Sequence, residues 1–147
     1  MFKHILVPTD GSKLSLKALD LAAGLANATK ARVSVLYVSP SYPTMIGGDG
    51  YMITPITLED WDSSIAKTTA SVREQVEKRA KAKSVAVQFL SVTVDQPHTG
   101  IIDVAKRKKC DLIVMASHGR KGISALLLGS ETTKVLKPQC LNRMALT

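Results

Sequence analysis

The sequence predicts a doubly wound α/β fold, and three observations carry that reading. Short runs that are almost wholly apolar, such as Ile5-Leu6-Val7 and Leu112-Ile113-Val114-Met115, recur along the chain. Strands buried on both faces read this way, whereas half-exposed strands alternate. Between these runs lie segments whose apolar residues repeat at helical spacing. A strand, a helix and another buried strand in that order imply right-handed crossovers and parallel pairing. Aromatic residues make up only 4% of the 147 residues, so the core must be built from Val, Ile, Leu and Ala. Four or five such units give a mostly parallel sheet with helices on both faces.

Taken in order, Lys3 to Val7 is the first strand, closed by the turn Pro8-Thr9-Asp10-Gly11-Ser12. Ser12 caps a helix with Leu16, Leu19, Ala22, Ala23 and Ala26 on one face. Arg32 to Val38 is the second strand. Ser39 to Pro55 carries three prolines and three glycines and reads as a long irregular loop; leaving the second strand at the same sheet edge as the first turn, it is placed to cover a ligand. A charged helix spans about Thr57 to Ala82, with Leu58, Ile65, Ala66, Val72 and Val76 toward the core and Trp61 as a packing residue. Val85 to Val94 is the third strand and Pro97 to Lys109 a helix with Ile101, Ile102, Val104 and Ala105 inward; His98 is expected to face solvent at its entry. Cys110 to Ala116 is the fourth strand. No linker or repeat interrupts the chain, which reads as one domain over residues 1–147.

Composition excludes several classes. Apolar residues at 45% and charged residues at 22% describe an ordinary globular protein. No apolar run reaches the ~20 residues that cross a bilayer, and the N-terminus enters a strand without the layout of a signal peptide. Two cysteines, Cys110 and Cys140, are too few for a disulfide framework or a zinc site. The cytosol is the expected compartment. The net charge of +8 suggests nucleic acid, but Lys78 to Lys83 and Lys106 to Lys109 fall at helix C-termini, where cations complement the dipole. No aromatic residues interleave with them to stack bases. Nucleic acid is therefore not the expected partner.

The stretch from Ala116 to Ser130 is where chemistry is concentrated. It links the strand ending at Met115 to a helix that begins at Glu131 with Ser130 as its cap. Glycines there let backbone amides turn toward a ligand, and a helix N-terminus favours an anion, phosphate above all. The spacing is neither that of a P-loop nor that of the dinucleotide fingerprint. It instead resembles the phosphate-binding signature of the universal stress protein family: a glycine, two residues, a glycine, nine residues, a glycine and then Ser or Thr. Gly119, Gly129 and Ser130 match it; Ala116 stands where the first glycine belongs. The likeness extends to about Pro138, beyond which Asn142 and Arg143 interrupt the apolar strand with which relatives usually end, and which often pairs across a dimer.

The resemblance implies a strand order of 3-2-1-4-5 and a crevice between strands one and four, where ligands bind in such sheets. It implies an adenine nucleotide, ATP or AMP, with Mg²⁺ held through the phosphates. Pro8, Thr9, Asp10, Val38, Met115, Ala116, His118, Gly119, Arg120, Gly122, Gly129, Ser130, Glu131 and Thr132 are the candidate contacts. Val38 and Met115 would form apolar walls for adenine, or plain core. Gly119, Arg120, Gly129, Ser130 and Thr132 would hold phosphates. Asp10 has two readings: an acceptor for a ribose hydroxyl or a magnesium-bound water, or a turn cap beside Gly11. No nucleophile with a base, paired carboxylates or metal-ligand cluster is evident, and adjacency of Ser117 and His118 makes no triad. The resemblance thus implies a nucleotide-binding sensor or switch of the stress response, a homodimer with an unidentified protein partner. A slow Mg²⁺-dependent ATPase using Arg120, and a nucleotide-free protein acting through contacts alone, are the alternatives.

Overall fold

The computed structural model describes residues 1–43, 45–46, 52–53, 56–117, 134–135 and 144–146. Its strands are β1 (His4–Thr9), β2 (Arg32–Ser39), β3 (Met45–Ile46), β4 (Met52–Ile53), β5 (Val87–Thr93), β6 (Leu112–Met115) and β7 (Met144–Leu146). The helices are α1 (Lys13–Thr29), α2 (Leu58–Ala82) and α3 (Pro97–Arg107). The main sheet runs β5-β2-β1-β6-β7, parallel throughout, so its four longer strands follow the expected order and the three-residue β7 lies beyond β6.

Two apolar layers sandwich this sheet. Odd-numbered side chains of β1 and β2, including Ile5, Val7, Val33 and Val35, pack with Ala18, Leu19, Ala22 and Ala26 of α1 and Val72 and Val76 of α2. Even-numbered ones, Leu6 and Leu36, pack with Ile101, Val104 and Ala105 of α3 and with Val135. Both faces of β1 are therefore covered, which is why its burial is unbroken from end to end. On the first face α1 and α2 are tied together: Arg79 Nε donates to Asp20 Oδ1 at 2.7 Å, and its second nitrogen binds Oδ2. On the second face Gly100 lets α3 sit close. A Cβ at that position would lie 2.9 Å from Val94 Cγ2 and 3.6 Å from Val38 Cγ2.

Some expectations need correction. The segment Ser39–Pro55 is not wholly irregular, because β3 and β4 pair as an antiparallel ribbon, Met45 opposite Ile53 and Ile46 opposite Met52. Leu58 and Ala66 are exposed rather than core; α2 reaches the sheet only with its C-terminal half, where Val72, Val76 and Ala80 are buried. His98 is half-buried, not solvent-facing. Trp61 packs edge-on against Tyr42 with ring centroids 6.1 Å apart. Tyr42 also donates its phenol O–H to the carbonyl of Ile56, so the segment leaving β2 is fastened to the start of α2. Among the described residues no helix is long and apolar enough to cross a membrane.

Candidate functional site

The sheet reverses direction at β1. From β1 the chain crosses to β2 on one side, and after β5 it crosses back to β6 on the other. The carboxyl ends of β1 and β6 thus flank a switch point, where the connecting loops part and leave a crevice. Pro8 widens it. In a parallel ladder both backbone polar groups of a residue point at one neighbour, and the side alternates along the strand. Lys3 accepts from Arg32 of β2, and His4 accepts from Asp111 on the β6 side. By alternation Leu6 and Pro8 also face β6. The β1–β6 register runs Ile5↔Leu112 and Leu6↔Ile113, and the next residue to face β6 is a proline with no N–H to offer. A proline in a central strand is tolerated here because it stands where the strands separate.

Beyond Pro8 the backbone is held by a directed set of hydrogen bonds. The Gly11 N–H donates to Thr9 Oγ1 at 3.1 Å, and Thr9 Oγ1 lies 2.8 Å from Ser15 Oγ. Ser15 Oγ donates to the Ser12 carbonyl at 2.9 Å. A carbonyl only accepts, so the single Ser15 proton is spent there and Thr9 must be the donor between the two hydroxyls. Ser12 caps α1, its Oγ accepting the Ser15 N–H at 3.2 Å. Asp10 Oδ1 accepts the Ser12 N–H at 2.9 Å, an Asx turn. Gly11 takes φ 77°, which its lack of a Cβ permits. Asp10 is half-buried at the mouth of the crevice, so the turn-cap role is present in the structure and fixes the carboxylate's position.

The other described candidates lie around this turn. Val38 near the end of β2 is half-buried; its side chain packs into the α3-side cluster, near Gly100. Met115, at the end of β6, is 7% exposed and belongs to the same cluster. Ala116 is half-buried one residue on. Thr9, Asp10, Val38, Met115 and Ala116 thus all sit at the carboxyl end of neighbouring strands. His118, Gly119, Arg120, Gly122, Gly129, Ser130, Glu131 and Thr132 lie outside the described residues.

Sequence reasoning missed two polar locks. Ser15, in the first turn of α1, is 4% exposed and holds Thr9. Ser39 is 1% exposed, donating to the Val92 carbonyl at 3.3 Å and accepting from Thr93 Oγ1 at 2.9 Å, which joins the ends of β2 and β5. Their signal was a hydroxyl at a position that the periodicity assigns to the interior. Among the described residues no cluster of three His, Cys, Asp or Glu is placed to hold a metal ion.

With this geometry established, comparison with known proteins gives a consistent result. The model of the universal stress protein family matches residues 1–138. This chain belongs to the universal stress protein family. A universal stress protein of Methanocaldococcus jannaschii is 31% identical over 140 residues, covering 93% of this chain and 77% of the relative. Universal stress protein YxiE of Bacillus subtilis is 31% identical over 137 residues, covering 92% of each. Among solved structures, UspA from Lactobacillus plantarum superimposes on this universal stress protein with a TM-score of 0.79 at 21% identity, over 99% of this chain and 97% of that one. A universal stress protein in complex with cAMP gives a TM-score of 0.71 at 20% identity, over 99% and 97% of the two chains. A family member from Arabidopsis thaliana with AMP bound gives 0.60 at 15% identity, over 98% and 91%. At these identities the structures establish the fold.

Proposed function

We propose that this universal stress protein binds an adenine nucleotide, ATP or AMP, in the crevice between β1 and β6 and acts as a sensor or switch. The observation that carries the reading is the end of the β1–β6 ladder at Leu6–Ile113, short of Pro8 and of an Asp10 held in place by its turn. Two relatives of the same fold, crystallised with cAMP and with AMP, support the choice of ligand. Asp10, fixed by its turn, would accept from a ribose hydroxyl, and the backbone at Val38 would read the base edge. Met115, Ala116 and Pro8 would line the apolar side. Gly119, Arg120, Gly122, Gly129, Ser130, Glu131, Thr132 and His118 would complete the site on the phosphate side, with Mg²⁺ held through the phosphates. On this reading occupancy rather than turnover is the signal. The signal passes through a homodimer to a protein partner in the cytosol, with residues 1–147 acting as a single domain.

Ala116 favours a second reading. It replaces a glycine of the signature with a residue bearing a Cβ, where close approach of the backbone to a ligand is expected. On that reading the protein works through protein contacts without nucleotide. Releasing small molecules from freshly purified protein by denaturation and identifying them by mass spectrometry separates the two. A near-stoichiometric adenine nucleotide supports the first. A blank, together with no heat of binding on titration with AMP or Mg-ATP, selects the second.

A further inference from the structure

The opposite end of the sheet carries a separate feature. α1, α2 and α3 finish at the amino ends of the strands, and a pocket of about 500 Å³ opens there between the end of α1, the start of β2 and the entry to β5. Its apolar walls include Ala26, Val33 and Val87, and the aromatic ring in the lining, His4, is only 5% exposed, with Nδ1 hydrogen-bonded to the Lys108 carbonyl and Nε2 to Ser34 Oγ. Its lining holds two full cations, Lys30 and Arg32, and no carboxylate. Neither cation makes an ion pair among the described residues, because the nearby acids are engaged elsewhere. Asp20 is bound by Arg79 and Lys83, and Asp111 accepts the N–H groups of Lys3 and His4 at 2.8 and 3.0 Å.

Two helix ends border the pocket. Lys30 and Ser84, which cap its two sides, both adopt left-handed conformations, with φ 60° and 52°, as does Lys109 after α3 with φ 53°. Glycine is the ordinary choice at such helix ends, and a residue with a Cβ is strained there. Asn27 Nδ2 donates to the Lys83 carbonyl at 3.2 Å, joining the ends of α1 and α2 beside the opening.

We propose that this pocket is a second ligand site, distinct from the nucleotide crevice, for a small aliphatic phosphate monoester. Two cations without a counter-charge match a phosphate that carries close to two negative charges at neutral pH, and the arginine fork suits its oxygens. Aliphatic walls accept a short carbon chain but offer no face on which a nucleobase stacks. The volume lies within the range of small-molecule sites.

The test is a titration of ¹⁵N-labelled protein with glycerol 3-phosphate, followed by amide shifts, with glycerol and inorganic phosphate as separate controls. Saturable shifts at Lys30 to Val33 and Ala86 to Gln88, larger for the ester than for either control, are expected. Arg32→Gln and Lys30→Gly should each weaken binding at least about tenfold, the loss of one charge-assisted contact. Lys30→Gly should also melt a few degrees higher, since it relieves the left-handed strain. No saturable shift at this end of the sheet overturns the proposal. So does wild-type affinity in both variants, or a lower melting temperature of Lys30→Gly with binding unchanged.

Discussion

Thr9 donates its hydroxyl proton to Ser15, 2.8 Å away, and Ser15 passes its own to the Ser12 carbonyl. This pair joins the last residue of β1 to the first turn of α1. It holds the turn in which Asp10 and Gly11 sit and therefore shapes one wall of the crevice. Ser15→Ala leaves the buried Thr9 hydroxyl without its acceptor. The loss expected in urea unfolding is about 1–3 kcal/mol, the cost of an unsatisfied buried donor. Thr9→Val with Ser15→Ala should cost less than the sum of the single changes, since the two act as one unit.

Acid should unfold the protein through two carboxylates. Asp111 lies in a partly buried place that pushes its pKa up, but N–H groups of Lys3, His4 and its own backbone more than offset this, leaving it lowered. Asp20 is lowered by its hydrogen bond to Arg79. A carboxylate whose pKa is lower folded than unfolded adds stability above the unfolded value, about 4, and that stability is lost as pH falls through the folded value. Chemical unfolding at a series of pH values should show a decline beginning below about pH 4. Asp111→Asn should be less stable at pH 7 and show a shallower decline.

Cys110 is buried at 9% exposure, and burial raises its thiol pKa to about 11. The thiolate is the reactive form. At pH 8 its alkylation by iodoacetamide should therefore be at least about a hundredfold slower in the native protein than in urea, the two-unit shift alone accounting for that factor. Peptide mass spectrometry of timed samples reads the ratio.

Two glycines in helices should respond with opposite sign. At Gly24 a Cβ meets nothing within 4 Å, so Gly24→Ala should stabilise by up to about 1 kcal/mol. At Gly100 the added Cβ would lie 2.9 Å from Val94 Cγ2 and 3.4 Å from Val92 Cγ2, on stiff β-branched side chains. Overpacking costs typically about 1–3 kcal/mol, so Gly100→Ala should be net destabilising. Because Val38 lies 3.6 Å from the same point, this change should also disturb the β2 side of the crevice.

Much of the architecture was legible because strands buried on both faces leave continuous apolar runs. The first strand was nevertheless read as ending at Val7, since a proline normally ends a central strand; β1 continues to Thr9 because Pro8 faces β6 beyond the last pair of that ladder. The β3–β4 ribbon was hidden because two-residue strands have no measurable period. Leu58 and Ala66 fit the helical pattern but were misplaced: amphipathic spacing marks a face, not how far along it the sheet extends. At the site, the Asp10-Gly11 turn was legible from residue types. The Thr9–Ser15 lock was not, because it joins different elements across a crossover that local spacing cannot register.

The central claim is occupancy of the crevice by an adenine nucleotide, and thermal unfolding with and without saturating AMP or Mg-ATP tests it most directly. A ligand at a hundred times its dissociation constant stabilises by about 2.7 kcal/mol. The account therefore predicts a rise of several degrees, greatly reduced in Asp10→Ala. An unchanged melting temperature at millimolar concentrations of both nucleotides would contradict it.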